Sequence, residues 1–242
     1  MQVDEIKKIE KKKKKYDPFA RKKGYLFSPR KLYFIARAAS KLKTDKIEEK
    51  FEYIVTRLNE EYPGHITFDN KWVFNNAGGA IGQMTFLHGS LREYIIIFGS
   101  SMRNEGHSGM YKADVFDYTF DGMMHCELEG KFKRKEFGPG SAAFLPASVV
   151  KHYSIEDHAW MLEYGRGIPT VLNMLPFGLM DNFTSTLDFM SVFRTLHRFG
   201  WRVLRSLFKK GKDWDIILKW VLMAIGFIVL PILGILALIK FT

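Results

Sequence analysis

Two carboxylates, Asp117 and Glu163, sit in stretches whose other members are mostly apolar. The chain reads Ala113-Asp114-Val115-Phe116-Asp117-Tyr118 around the first and Trp160-Met161-Leu162-Glu163-Tyr164 around the second. Side chains alternate faces along a strand. Ala113, Val115 and Asp117 then share one face, and Met161 shares one with Glu163. A third stretch, Tyr94-Ile95-Ile96-Ile97-Phe98, puts Tyr94, Ile96 and Phe98 together. If these faces line one interior, they make an apolar pocket holding two carboxyls and a phenol. An ionised carboxylate buried without a partner is costly. Two neighbouring carboxyls resist ionising together, so one keeps its proton near neutral pH. Such a pocket can protonate an apolar molecule or hold a cation. The plainer alternative is that an acid in a strand faces solvent. Asp114 is read that way, because its neighbour Lys112 is charged too. Glu163 fits solvent less well, with Trp160, Met161 and Leu162 before it and Gly165 after it.

The elements that must position these residues are strands. Short runs over 93–99, 110–120, 122–130, 141–145, 149–155 and 159–165 alternate with Gly, Pro and Asp turns. This spacing predicts a small β-barrel or sandwich. Residues 30–61 read as helix broken near Thr44-Asp45 and ended by Tyr62-Pro63-Gly64. Residues 71–90 are glycine-spaced and read as helix or as a packed turn. Residues 1–29, charged and punctuated by Pro18, Gly24 and Pro29, read as mostly disordered. Residues 169–211 return to helix. The predicted organisation is a basic extension over 1–45, helices plus barrel over 46–168, membrane-adjacent helices over 169–211 and a transmembrane helix over 215–240.

The length of 242 residues fits one domain with attachments. A single cysteine, Cys126, excludes an internal disulfide and suits a reducing compartment. The seven histidines show no metal-ligand spacing. The net charge of +11 is concentrated: residues 1–50 hold 17 Lys and Arg against 7 Asp and Glu, leaving the remainder near neutral. No base-stacking aromatic platform accompanies the Lys11–Lys15 run, so nucleic acid is not an expected partner. A solvated tail, or one resting on anionic lipid, is expected instead.

Trp220 to Ile239 is a stretch of 20 residues without a charge, bracketed by Lys219 and Lys240. At about 1.5 Å per residue it matches a hydrocarbon core of roughly 30 Å. It is read as a C-terminal anchor kinked at Pro231, with the preceding chain on the cytosolic side; the alternative is a buried core helix. Upstream, Arg194, Arg198, Arg202, Arg205 and Lys209 recur at helical spacing among Phe193, Leu196, Phe199, Val203, Leu204 and Leu207. This is either a basic amphipathic helix lying in a bilayer interface or a core helix with a charged outer face.

Several motifs occur in order: Tyr62-Pro63-Gly64-His65, Trp72-Val73-Phe74-Asn75-Asn76-Ala77-Gly78-Gly79, Leu87-His88-Gly89-Ser90, Gly106-His107-Ser108-Gly109, Trp160-Met161-Leu162-Glu163-Tyr164-Gly165-Arg166-Gly167 and Ser185-Thr186-Leu187-Asp188-Phe189. Together they resemble the family shared by fungal-type sterol delta-8 to delta-7 isomerases and the animal sigma-one receptor. The resemblance covers roughly residues 50–208. It implies an α+β fold: a cupin-like β-barrel without the cupin metal, with C-terminal helices against the membrane. It also implies that Glu163 is the central carboxylate, that Asp117 shares a hydrogen bond with it and that Tyr94 orients the pair. Met84, Phe86, Ile96, Phe98, Val115, Leu172, Thr195 and Phe199 match pocket-lining positions. The implied substrate is a sterol, with membrane lipid as a partner, no cofactor, residence in the endoplasmic reticulum membrane, and a homo-oligomer of trimeric form. Phe144-Leu145-Pro146 and Val149-Val150-Lys151-His152-Tyr153 look more like the isomerase branch. An isomerase is therefore expected first, and a ligand-binding regulator without turnover second.

Overall fold

A computed structural model describes residues 17–167 and 179–210. Two helices come first, split where the sequence predicts. Helix α1 (Pro29–Ala39) opens with proline at its first turn, where the missing N–H costs nothing. Helix α2 (Ile47–Glu61) buries Phe51, Ile54 and Leu58 at helical spacing. Eight antiparallel strands follow in one sheet: β1 (Val73–Ala77), β2 (Ala80–Gly89), β3 (Glu93–Ser100), β4 (Asn104–His107), β5 (Ala113–Leu128), β6 (Lys135–Phe137), β7 (Ser141–Leu145) and β8 (Lys151–Gly167). Helix α3 (Phe189–Lys210) closes the described chain, preceded by a helical turn over 179–184.

The glycine-spaced stretch 71–90 is not a helix but the β1–β2 hairpin. Ala77 pairs with Ala80 across Gly78 and Gly79, whose φ angles are 63° and 88°. A two-residue hairpin turn with positive φ at both positions is the geometry that favours glycine. The sequence also divides two strands that are continuous. The 110–120 and 122–130 runs form the single strand β5, and 149–155 and 159–165 form β8. Their mutual register shifts between Thr119 and Asp121 and again between Gly122 and Met124. These bulges bend both strands without ending them, and Gly122 takes a φ of 69° there.

The sheet follows the order β1-β2-β3-β8-β5-β6, with β4 on β8 and β7 on β5. The bend brings β4 back to the β1–β2 turn. His107 N–H donates to Gly78 O at 2.8 Å, and the Asn104 side chain accepts from Ile81 N–H at 3.0 Å. The sheet thus curls on itself and acquires an inside and an outside.

The outer face carries the larger apolar cluster. Ile95, Ile97, Phe116, Tyr118, Phe120, Leu162 and Tyr164 pack there against Leu32, Ala36, Ile54 and Leu58 of the N-terminal helices. Residues 17–28, expected to be disordered, are part of this layer. Phe27 is fully buried beside Tyr62, and the Phe19 ring lies 5.6 Å from that of Phe116. Asp114, expected at the surface, is buried and takes Lys22 Nζ at 2.7 Å and Arg166 Nε at 3.2 Å. Burial pushes its carboxyl up, but Lys22 and Arg166 outweigh it and hold the carboxyl below its usual range. Arg166 also donates to Ala20 O and Pro18 O and covers the Phe116 ring. The arginine ties the N-terminal segment to the sheet.

Helix α3 departs from the core-helix reading of its sequence, because its outer face is largely apolar. Asp188 starts it by accepting from Ser191 N–H at 2.9 Å. Its arginines turn toward the body: Arg198 donates to Trp72 O, Arg202 pairs with Asp69 and Arg205 reaches Thr67. Most residues left outside are apolar, including Phe193 and Trp201 at 65% exposure and Phe208 at 83%, with Arg194, His197 and Arg205 exposed among them. Among the described residues no helix is long and apolar enough to cross a membrane. The predicted span over 215–240 lies outside the described residues.

Candidate active site

The inner face is where the alternation places it. Tyr94, Ile96 and Phe98 of β3, Val115 and Asp117 of β5, and Met161 and Glu163 of β8 all line one cavity. Strand β8 lies between β3 and β5, so Glu163 is opposite Ile96 on one side and opposite Asp117 on the other. Directly opposed side chains on one face are close neighbours. The two carboxyls are therefore cross-strand partners.

Each carboxyl has its own donor. The Tyr94 hydroxyl donates to Glu163 Oε1 at 2.6 Å. The Lys151 ammonium donates to Asp117 Oδ2 in a buried ion pair. Glu163 is half-buried and faces the cavity. Burial first, and then the Asp117 charge, push its pKa up to about 7; the Tyr94 hydroxyl and Lys151 pull the other way without winning. Burial would lower the Lys151 pKa, but Asp117 outweighs it and holds the ammonium above its usual range. Burial and the Glu163 charge hold the Tyr94, Tyr111 and Tyr153 hydroxyls well above theirs, so all three are donors rather than anions. The site at neutral pH contains an ion pair and a carboxyl poised to carry a proton.

Gly165 makes the Tyr94 contact geometrically possible. Tyr94 is opposite Gly165, and its ring lies across strand β8 to reach Glu163. A Cβ at position 165 would sit 2.0 Å from Tyr94 Cε1. Gly165→Ala is expected to push the ring aside, break the bond to Glu163 and lower activity by about tenfold or more, since one hydrogen bond to a charged group is worth about 1.5–3 kcal/mol. Kinetics on Gly165→Ala and Tyr94→Phe check this: the two should fall alike.

About 1040 Å³ of atom-free space, open solvent at the mouth included, lies between these walls. Met84 and Phe86 from β2 join the β3, β5 and β8 residues, and Thr195 and Phe199 of α3 cover one end. Leu172, the remaining pocket residue expected by resemblance, lies outside the described residues. Two buried wall atoms, Asn75 Oδ1 and Thr195 Oγ1, have no hydrogen-bond partner among the described residues. Such atoms cost about 1–3 kcal/mol each, so a hydroxyl on an otherwise apolar ligand would be favoured beside either.

Sequence reasoning missed Lys151, Tyr111 and Tyr153 as site residues. A signal for two of them exists. Lys151, Tyr153 and Ile155 share one phase of β8, while His152, Ser154 and Glu156 take the other and are more exposed. A lysine in the apolar phase of a strand is the same anomaly as Glu163.

The family described as "ERG2 and Sigma1 receptor like protein" matches residues 11–211. The C-8 sterol isomerase erg2 of Aspergillus fumigatus is 36% identical over 188 residues, covering 77% of each chain. Sigma non-opioid intracellular receptor 1 of Danio rerio is 37% identical over 176 residues, covering 72% of this chain and 77% of that one. Protein erg2 homolog of Dictyostelium discoideum is 39% identical over 166 residues, covering 69% and 70%. Among solved structures, a RmlC-like cupin from Shewanella frigidimarina is similar over 45% of this chain and 95% of its own, at 15% identity and a TM-score of 0.37. On this family match and these relatives, the chain belongs to the family of C-8 sterol isomerases and sigma-type receptors.

Proposed function

We infer that this protein is a sterol isomerase that moves a ring double bond from the delta-8 to the delta-7 position. The observation that carries this reading is a carboxyl with its pKa pushed up to about 7, set in an apolar wall opposite a second carboxyl. Isomerisation needs a proton delivered to one face of an alkene and a proton removed nearby. The O–H bond of Glu163 breaks as a C–H bond forms at C9, using the electron pair of the C8=C9 bond. The positive charge develops at C8. The Glu163 carboxylate left behind and the Asp117 carboxylate face that charge in a largely apolar cavity, where attraction is strong. The C7–H bond then breaks, its electron pair forms C7=C8, and the proton returns to a carboxylate. Nothing is oxidised or reduced in the sequence, and general acid–base action is enough.

The substrate dissolves in membranes, and the exposed apolar face of α3 fits a bilayer surface. Thr195 and Phe199 lie on the opposite side of this helix and cover the cavity, so a membrane-resident sterol would have a short path to the acids. Endoplasmic reticulum residence, lipid contact and a trimeric assembly belong to the same proposal, on the family's account. The second reading is a sigma-type regulator that binds amphipathic amines without turnover. The receptor relatives favour it, and an ionised Glu163 could hold an ammonium.

Turnover separates the two. The full chain, expressed in a fungal strain lacking its own sterol isomerase, is expected to convert accumulated delta-8 sterols to delta-7 sterols, read by mass-resolved chromatography. Persistent delta-8 accumulation with the protein confirmed in membranes would sink the enzyme reading and leave the receptor-like one.

A further inference from the structure

We propose that Lys151 is a positioning residue that decides which carboxyl of the pair carries the proton: by pairing with Asp117 it makes Asp117 the fixed anion and Glu163 the acid. This deepens the isomerase reading and rests on it for its catalytic meaning.

The geometry is specific. Lys151 opens β8, and its backbone is held from both sides by Ser108: Lys151 N–H donates to Ser108 Oγ, and Ser108 N–H donates to Lys151 O, each at 2.9 Å. Its ammonium sits 5.8 Å from the Tyr153 ring centroid and donates to Asp117 Oδ2. Both partners of this ion pair are more than nine-tenths buried. The other titratable groups around it supply no competing charge. Tyr153 of β8, Tyr94 of β3 and Tyr111 are held as neutral phenols, and burial raises the Cys126 thiol on β5. His107 of β4 takes the Gly109 N–H on its Nδ1 at 2.9 Å. That leaves Glu163, whose described donor is the neutral Tyr94 hydroxyl.

The consequence is an ordered division of labour between two carboxyls that are otherwise neighbours in one ladder. At rest, Asp117 and Lys151 cancel, and Glu163 is neutral while protonated. The cavity then has no net charge to offer an uncharged ligand. Once Glu163 has given up its proton, the cavity carries one net negative charge facing one positive charge. The attraction is created by the reaction and is absent before it, which favours the transition state over the bound ground state. Without Lys151 the pair would share a proton between equivalent sites, and the titration would belong to the pair.

The test measures the pH profile of delta-8 to delta-7 conversion by the full chain in detergent micelles, for wild type, Lys151→Met and Lys151→Arg. Wild-type kcat should fall above about pH 7, following Glu163. Lys151→Met should move that limb upward by about one unit or more, because the remaining proton is held against an unscreened like charge. Its kcat at the optimum should fall about tenfold or more, and Lys151→Arg should restore the wild-type limb. A purely structural lysine would change the rate and leave the limb in place, and that outcome overturns the proposal. Difference infrared titration of the buried carboxyls needs no turnover. At pH 6 wild type should show one buried protonated carboxyl, lost in Glu163→Gln, whereas in Lys151→Met the shared proton should survive Glu163→Gln and be lost only on adding Asp117→Asn. A protonated carboxyl in Lys151→Met that is lost with Glu163→Gln alone also overturns the proposal. Wild type that titrates as expected but turns over no sterol would count against the isomerase reading alone.

Discussion

Glu163→Gln is expected to lose delta-8 to delta-7 conversion by a factor of about 10² to 10⁴, the usual contribution of a positioned acid. Glutamine keeps the shape and can still meet the Tyr94 hydroxyl, so binding of an uncharged sterol should change little and the loss should fall on kcat. The same substitution is expected to stabilise the fold at alkaline pH. Glu163 is raised from 4.5 to about 7 in the native state. Between those two values the native state holds a proton that the unfolded chain has released, so wild-type stability falls as pH rises across that window. Above about pH 7 the full penalty remains, at most about 3 kcal/mol for a shift of this size. Glutamine does not titrate and escapes the penalty. Thermal unfolding at pH 4 and pH 8 should therefore show Glu163→Gln pulling ahead of wild type only at the higher pH. A variant that is inactive and equally stable at both values would mean that Glu163 is not the strained group.

Arg166→Met is expected to destabilise the outer face by about 3 kcal/mol, because it removes a buried ion pair and two hydrogen bonds to carbonyls at once. Asp114 would keep Lys22 alone, the carbonyls of Pro18 and Ala20 would lose their donor, and the Phe116 ring its cover. Two signs separate this from a simple packing defect. Arg166→Lys should recover only part of the loss, since an ammonium cannot bond Asp114 and two carbonyls in one fork. Asp114→Asn should cost less in the Arg166→Met background than in wild type, the non-additivity that a lost ion pair leaves. Chemical denaturation gives the magnitude, and limited proteolysis should cut first within residues 17–28, which this side chain ties down.

The inner face was legible in the sequence because alternation is a local signal. The periodicity that grouped Tyr94 with Ile96 and Phe98, and Asp117 with Val115, needs only the strand itself. What the sequence hid depends on distant partners. Asp114 resembles a surface acid until Lys22 and Arg166 arrive from 92 and 52 residues away. Residues 17–28 resemble a disordered arm until Arg166 reaches back 146 residues to Ala20. The β1–β2 hairpin was obscured because Gly78 and Gly79 were read for their spacing, although their positive φ is what the turn requires. Lys151 enters the sequence reading only as part of a motif; its phase with Tyr153 and Ile155 is the local sign that it is buried.

Strands β5 and β8 hold both acids and the lysine, and they meet in one continuous ladder from Ala113–Gly167 to Leu128–Lys151. Asp117 and Glu163 face each other within it, so neither has its partner until segments far apart in sequence have been zipped together. Pairing of this kind is the slow part of folding, since the chain must close long loops before any contact repays them. Competence is consequently a property of the closed ladder. A chain caught before closure has no half-built acid pair, and a population containing unfinished copies contains no partly active ones.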